Sequence, residues 1–333
     1  SVGLGVIGAG LFANGTLLPA MKGLNTLSRR GIAARTGLQV RHTGKKFAFQ
    51  YCTTEPRDLL NDPDVDLVTV LTRHDSHAGH VIEALRAGKH VFVEKPLAID
   101  EGQLRSISEA YRGSRSEGDG GPLVMVGFNR RFSPMAGWLK KRLAGIGDQI
   151  VVNCVVNAGS VPSGSWVDDP IEGGGRIIGE VCHFVDLVQY LTSALPVRVF
   201  AERIGRDDGD DSLVATLTMA NGAIASITYV AGGDRRYSRE RVEVFGGGAA
   251  GSIDNFRSAV FMRNGKRQSR KARGSIDRGH RSELQELVGR IREGGPAPVG
   301  FDEYVSTTLA TFALERSLRS RTSELVGYTN SPV

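Results

Sequence analysis

Cysteine is scarce in this sequence, with only Cys52, Cys154 and Cys182 in 333 residues. The odd count and wide spacing exclude a disulfide framework and a zinc-type cluster, so no metal site is expected and the thiols fit a reducing cytoplasm. No apolar run is long enough to span a bilayer, and no basic-then-apolar leader opens the chain. Aromatic residues make up only 7%, and none is interleaved for stacking in the one basic run, Arg263 to Arg281, which carries Arg267, Arg270, Lys271, Arg273 and Arg278. Nucleic acid is therefore not an expected partner. The run, and part of the net charge of +6, reads as a solvated loop or a patch for an anionic phosphosugar. Internal repeats are lacking too. Ser1 has no preceding Met and enters a strand almost at once, which leads us to expect a processed or excised N-terminus.

What is present is the composition of an ordinary globular protein, 40% hydrophobic and 23% charged, at a length that predicts two domains. Val2 to Ile7 is a short apolar strand, followed at once by Gly8-Ala9-Gly10-Leu11-Phe12-Ala13. In this G-x-G-x-x-A pattern Gly8 permits a tight turn, Gly10 admits a pyrophosphate to the backbone, and Ala13 lets helix and strand pack closely. The helix N-terminus then offers unpaired N–H groups to the phosphates. Pro19 predicts a break near it.

A second strand is expected within residues 27–34, ending in Arg35-Thr36-Gly37. NAD-preferring folds place a carboxylate there for the ribose 2′-hydroxyl. Arg35 instead offers a planar cation to a 2′-phosphate, so NADP is favoured over NAD.

Strand and helix then alternate. A short helix and turn over Asp58 to Val65 leads to the strand Leu67 to Leu71. The loop Thr72-Arg73-His74-Asp75-Ser76-His77 follows, with Ser76 a candidate cap for the next helix, which Gly88 ends. Next come the strand His90 to Val93 with Glu94-Lys95-Pro96, the helix Glu101 to Arg112, and the strand Leu123 to Gly127. The alternation predicts an α/β fold with a parallel Rossmann sheet. In such sheets ligands sit beyond the carboxyl ends of the strands, where Lys95 falls.

After Phe132 the pattern changes to longer strands, expected at 149–157, 197–205, 213–219, 223–230, 242–245 and 260–263. Asn221-Gly222 and Asn264-Gly265 read as two-residue hairpins, which implies a mainly antiparallel sheet. Two late helices are expected, Ser282 to Arg292 with a Ser-x-x-Gln capping box and Asp302 to Arg319. Between the strands lies Glu172-Gly173-Gly174-Gly175-Arg176-Ile177-Ile178-Gly179-Glu180-Val181-Cys182-His183-Phe184-Val185-Asp186. It opens an amphipathic helix that carries Gly179, His183 and Asp186 on one face.

Four segments together resemble the glucose–fructose oxidoreductase / inositol dehydrogenase family (Gfo/Idh/MocA). They are the glycine turn, Glu94-Lys95-Pro96, Gly127-Phe128-Asn129-Arg130-Arg131-Phe132, and Gly173-Gly174-Gly175 with His183 and Asp186. The wording of the last segment is most similar to the sugar-dehydrogenase-like module that also occurs fused behind a zinc-type alcohol dehydrogenase module. The resemblance implies a Rossmann domain over residues 1–128 and an α/β domain over 129–333 with an open, mainly antiparallel sheet for substrate and oligomerisation. It implies a homo-oligomer, and NAD or NADP meeting a sugar, cyclitol or nucleotide-sugar between the domains.

By the same resemblance Gly8, Gly10, Leu11, Phe12, Arg35, Thr36, Thr72, Arg73, His77, Glu94, Lys95, Asn129 and Arg131 bind the dinucleotide. Lys95, Arg176, Gly179 and His183 bind substrate, with Lys95 and His183 catalytic. A fixed cation suits a developing alkoxide, and an imidazole suits proton transfer near neutral pH. The sequence departs at Gly179, where members with dehydrogenase activity commonly carry Asp. Two other functions therefore stand beside the dehydrogenase: a glycosidase using bound NAD for transient oxidation, and a non-catalytic dinucleotide-binding module.

Overall fold

The computed structural model describes residues 1–115, 120–147, 149–160, 166, 169, 172–204 and 212–329. The chain divides into two compact units, Ser1–Gly127 with His280–Tyr304, and Phe128–Gly279 with Val305–Val333. The sequence-based division at 128/129 lacks that return. Its cause is packing within the first unit: Phe301 stacks on Tyr111 at 4.0 Å, and Arg281 donates to the carbonyls of Ala20 and Lys22.

The first unit is built on β1 (Val2–Ile7), which is buried throughout. Helical chain follows the glycine turn, first as a π-helical stretch Ala13–Leu17 and then as α1 (Leu18–Ala20), with Pro19 in its first turn and the helix stopping just beyond. Then come β2 (Leu27–Ala33), α2 (Gly37–Phe47), β3 (Tyr51–Thr53), α3 (Pro56–Asn61), β4 (Leu67–Val70), α4 (His77–Arg86), β5 (His90–Val93), α5 (Glu101–Gly113) and β6 (Val124–Val126). The six strands lie in the order β3-β2-β1-β4-β5-β6, with every pairing parallel. The chain steps outward one way from β1 and then the other way from β4. Their carboxyl ends therefore flank the topological switch point where α/β sheets hold ligands.

One local expectation fails here. Ser76 stands at the start of α4, but a 3₁₀ turn (His74–Ser76) precedes the helix, and the hydroxyl donates to Thr72 Oγ1 and the Arg73 carbonyl rather than capping. At α5 the cap is Asp100, whose carboxylate accepts the Gln103 N–H at 2.7 Å.

The second unit holds α6 (Pro134–Leu143), β7 (Ile150–Asn157), α7 (Cys182–Thr192), β8 (Pro196–Arg203), β9 (Leu213–Met219), β10 (Ile224–Val230), β11 (Glu240–Gly246), β12 (Ala249–Asp254), β13 (Ser258–Arg263) and β14 (Lys266–Lys271). The chain then runs through α8 (His280–Glu293) of the first unit into α9 (Phe301–Ser320) and β15 (Glu324–Leu325). The nine strands are ordered β14-β13-β12-β11-β7-β10-β9-β8-β15 and are antiparallel except for β10 against β7. Alternation along β7 sends Ile150, Val152, Cys154 and Val156 into a core with Val181, Phe184, Val185 and Val188 of the helical segment. Burial, and secondarily Glu240, pushes the Cys154 thiol up to about 12, so it stays protonated.

Three readings are corrected in this unit and its neighbouring helix. Lys266–Lys271 is an edge strand, not a loop; all six of its residues are exposed, and cationic edges resist further pairing. The β9–β10 turn has three residues rather than two, because the Met219 N–H bonds the Ala223 carbonyl around Gly222 in the left-handed region. The Ser282 capping box does not form, since α8 begins two residues earlier. The Asn264-Gly265 hairpin is as expected, both residues having positive φ between the paired Arg263 and Lys266. No described helix is long and apolar enough to cross a membrane.

Candidate active site

The site residues of the first unit sit beyond the ends of β1, β4 and β5. Gly8 has φ +110°, and a Cβ there would lie 2.5 Å from the Leu71 carbonyl oxygen, so the turn admits only glycine. Gly10 is the opposite case, with no atom within 4 Å of where its Cβ would be. Two side chains not identified from sequence hold the turn. The Asn14 amide donates to the carbonyls of Ala9 and Gly10 at 2.8 and 3.1 Å, and Gln39 donates to Ala9 at 2.8 Å. With those carbonyls occupied from behind, the strand-to-helix turn presents its N–H side outward. Leu11, 95% exposed, and Phe12 stand beside it. Open approach at Gly10, the fixed turn and an exposed apolar rim fit a dinucleotide pyrophosphate and its neighbouring groups. Arg35 and Thr36 are exposed at the end of β2, with Thr36 opening α2.

Glu94-Lys95-Pro96 leaves β5 with a cis Lys95–Pro96 bond. Glu94 is buried, and its carboxylate occupies the space a side chain on Gly127 would need: a Cβ there would lie 2.8 Å from Oε1. The other oxygen accepts the Lys95 N–H at 3.3 Å. Lys95 itself is half-buried. His77 is fully buried, with Nδ1 2.8 Å from the Pro96 carbonyl and Nε2 3.2 Å from that of Thr72. Burial depresses its pKa to about 4, against the pull of those two carbonyls, and the Lys95 charge adds to the depression. The neutral ring carries a single N–H, so it donates to one of these carbonyls and packs its other nitrogen against the second, between the loop after β4 and the lysine segment. Thr72 is drawn in by Ser76, while Arg73 is exposed.

In the second unit the motif after Gly127 forms a buried polar knot. Asn129 donates to the Arg278 carbonyl at 3.0 Å. Arg130 grips Glu240 through two bonds of 2.9 and 3.0 Å. Arg131 grips Asp186 at 2.9 and 2.7 Å, with both side chains at most 5% exposed. Burial alone would raise the Glu240 pKa, but Arg130, Arg278 and Arg239 together hold it low. The family resemblance assigns Asn129 and Arg131 to the dinucleotide; in the structure the Asn129 amide also bonds the Arg278 carbonyl and Arg131 anchors α7 through Asp186.

His183, one turn before Asp186 on α7, is 8% exposed and meets Phe128 edge-on at 6.0 Å. A π-helical stretch, Ile177–Val181, precedes α7 and contains Gly179. Gly174 and Gly175 both have positive φ, giving the bend that starts this helix. Arg176 is buried, donating to the Gly159 carbonyl at 3.1 Å and facing Glu180 at 3.5 Å and the Tyr229 ring. Tyr229 also donates to Glu180, and burial followed by this carboxylate raises the phenol's pKa. Glu180, next to the glycine, is thus committed to Arg176 and Tyr229.

A central β1 with a glycine turn at the switch point of a parallel sheet defines a Rossmann-type dinucleotide-binding protein. Residues 2–119 match the model of the oxidoreductase family with an NAD-binding Rossmann fold, and residues 141–253 match the GFO/IDH/MocA C-terminal domain. The chain is 27% identical to myo-inositol 2-dehydrogenase of Thermotoga maritima, over 86% of this chain and 87% of that protein. It is 30% identical to the uncharacterized oxidoreductase YrbE of Bacillus subtilis, over 76% of this chain and 74% of that protein. A solved levoglucosan dehydrogenase, in complex with NADH and L-sorbose, superposes with a TM-score of 0.82 at 20% identity, covering 98% of this chain and 99% of that one. The chain belongs to the GFO/IDH/MocA oxidoreductase family.

Proposed function

We propose that this protein is an NAD(P)-dependent oxidoreductase that moves hydride to or from a ring hydroxyl or ketone of a sugar or cyclitol. The observation that carries this reading is the shared position of the Gly8–Gly10 turn and Lys95 beyond the carboxyl ends of β1 and β5, the two strands that flank β4 in one parallel sheet. Relatives named as inositol dehydrogenases, and a levoglucosan dehydrogenase solved with NADH, support it. The bound nicotinamide supplies the hydride acceptor or donor.

The rest belongs to the chain. Lys95, its direction fixed by Glu94 and by the His77–Pro96 contact, holds the substrate hydroxyl and stabilises negative charge on its oxygen. His183 accepts the hydroxyl proton during oxidation and returns it during reduction. Its helix is held by the Arg131–Asp186 pair, and Phe128 limits rotation of the ring. With Gly179 in place of a carboxylate and Glu180 held by Tyr229, His183 works without a neighbouring acid at that position.

Arg35 and Thr36 receive the adenosine ribose, and Arg35 selects NADP(H) through the 2′-phosphate. Titrating both cofactors into the protein tests this. NADP(H) is expected to bind tighter, and Arg35→Asp to reverse the order; tighter NAD(H) binding by the parent would make Arg35 an ordinary surface charge. A homo-oligomer is proposed through the open face of the nine-stranded sheet. There Ile224, Val151 and Phe245 run across β10, β7 and β11, and Met262 of β13 follows beyond Ala250 of β12; the four large residues are each 37–51% exposed. Turnover with a panel of cyclitols, anhydrosugars and nucleotide-sugars tests the activity. A protein that binds dinucleotide yet turns over none of them would be the non-catalytic module.

A further inference from the structure

We propose that the second unit carries a separate binding site for a sugar bearing a phosphate, free or nucleotide-linked, in a cavity at the end of β14. The cavity measures about 580 Å³, within the range of small-molecule sites. Its apolar wall is made by Met135, at the start of α6, and Phe256. Arg270, Lys271 and Arg273 also line it, and Asp277 is the acid among the lining residues.

The cations of this cavity differ from the buried arginines of the unit. Elsewhere buried or half-buried arginines meet carboxylates: Arg130 and Arg278 meet Glu240, and Arg131 meets Asp186. Among the described residues the three cations of the cavity make no ion pair, and the Asp277 carboxylate is turned to the Gly279 N–H at 2.8 Å. Arg270 and Lys271 are consecutive in β14 and leave opposite faces of the strand, but like charges around one cavity repel one another, and a phosphate dianion relieves that repulsion while accepting from the arginine forks. Protection of an exposed sheet edge accounts for charge on Arg270 and Lys271, which belong to β14. It does not account for Arg273, which lies past the end of the strand and lines the same cavity. Met135 and Phe256 are only 3% and 1% exposed, so a ring body packs instead against the alkyl stems of the lining cations, a contact inorganic phosphate cannot make. The site shares no residue with the dehydrogenase assignment, so either can fail alone.

Isothermal titration calorimetry on the whole protein tests it, at low ionic strength and with NADH saturating the glycine turn so that phosphate probes cannot enter there. Glucose 6-phosphate is expected to bind at least about tenfold tighter than inorganic phosphate, and to weaken by about tenfold when salt screens the wall. The double variant Arg270→Glu with Arg273→Glu, both exposed and outside the core, is expected to lose about tenfold or more while keeping NADH affinity and circular dichroism. Asp277→Asn is expected to tighten binding. Tighter binding of UDP-glucose than of glucose 6-phosphate, lost in the double variant, would identify the nucleotide-linked source; the reverse order would identify the free sugar phosphate. No heat at millimolar glucose 6-phosphate, an affinity equal to that of inorganic phosphate, or binding unchanged in the double variant would overturn the proposal.

Discussion

Acidification should destabilise the first unit through His77. The ring is fully buried between two carbonyls, and burial holds its pKa at about 4 against an ordinary 6.5. The folded value lies below the unfolded one, so between these limits the unfolded chain binds more protons, and stability falls as pH falls. A group shifted by this amount removes about 2 kcal/mol at about pH 5 and about 3 kcal/mol below pH 4. Urea unfolding of the parent and of His77→Gln, at about pH 7.5 and about pH 5, isolates the contribution. The variant is expected to be less stable at the higher pH, having lost the Pro96 contact, but to lose about 2 kcal/mol less than the parent on acidification. Both tryptophans, Trp138 and Trp166, lie in the second unit. Circular dichroism should therefore carry the difference, while tryptophan fluorescence follows the second unit. Equal acid losses in parent and variant would show that His77 is not a buried neutral imidazole.

Gly127→Ala would place a methyl group 2.8 Å from the Glu94 carboxylate, so it should displace Glu94 and lower kcat severalfold with the fold retained, as stopped-flow kinetics and circular dichroism would show. Asp186→Ala leaves Arg131 buried without its carboxylate and should cost about 3–5 kcal/mol by urea unfolding, whereas Arg131→Met with Asp186→Leu should recover most of it. His183→Asn should lower the rate of alcohol oxidation by about two orders of magnitude or more with dinucleotide affinity within a few fold, and unchanged turnover would remove His183 as the proton acceptor.

Most of the parallel sheet was legible because its buried strands hold compact apolar runs, ending in glycine or charge at Ile7-Gly8 and Val93-Glu94, whereas the three-residue β3 has no such run and gave no signal. What escaped the sequence was signalled by contacts distant in the chain or by none. β14 is polar on both faces and β12 is rich in small residues, so neither shows an apolar period of two. The return of His280–Tyr304 to the first unit rests on pairs such as Tyr111 with Phe301, far apart in sequence. Asn14 and Gln39 look like ordinary helical amides until the helices aim both at the Ala9 carbonyl. The charged motif Asn129-Arg130-Arg131 reads as a ligand site in a linear string, yet its partners Arg278, Glu240 and Asp186 lie 55–149 residues away.

The central claim is that Lys95, at the end of β5, stabilises the substrate oxygen during hydride transfer. The direct measurement is single-turnover formation of reduced nicotinamide, on the best substrate of the cyclitol and sugar panel, by the parent and by Lys95→Ala, alongside the affinity of each for the dinucleotide. The expected result is a rate lowered by about two to three orders of magnitude with cofactor affinity within a few fold, the signature of an interaction made in the transition state. A Lys95→Ala enzyme that turns over at close to the parent rate would contradict the account.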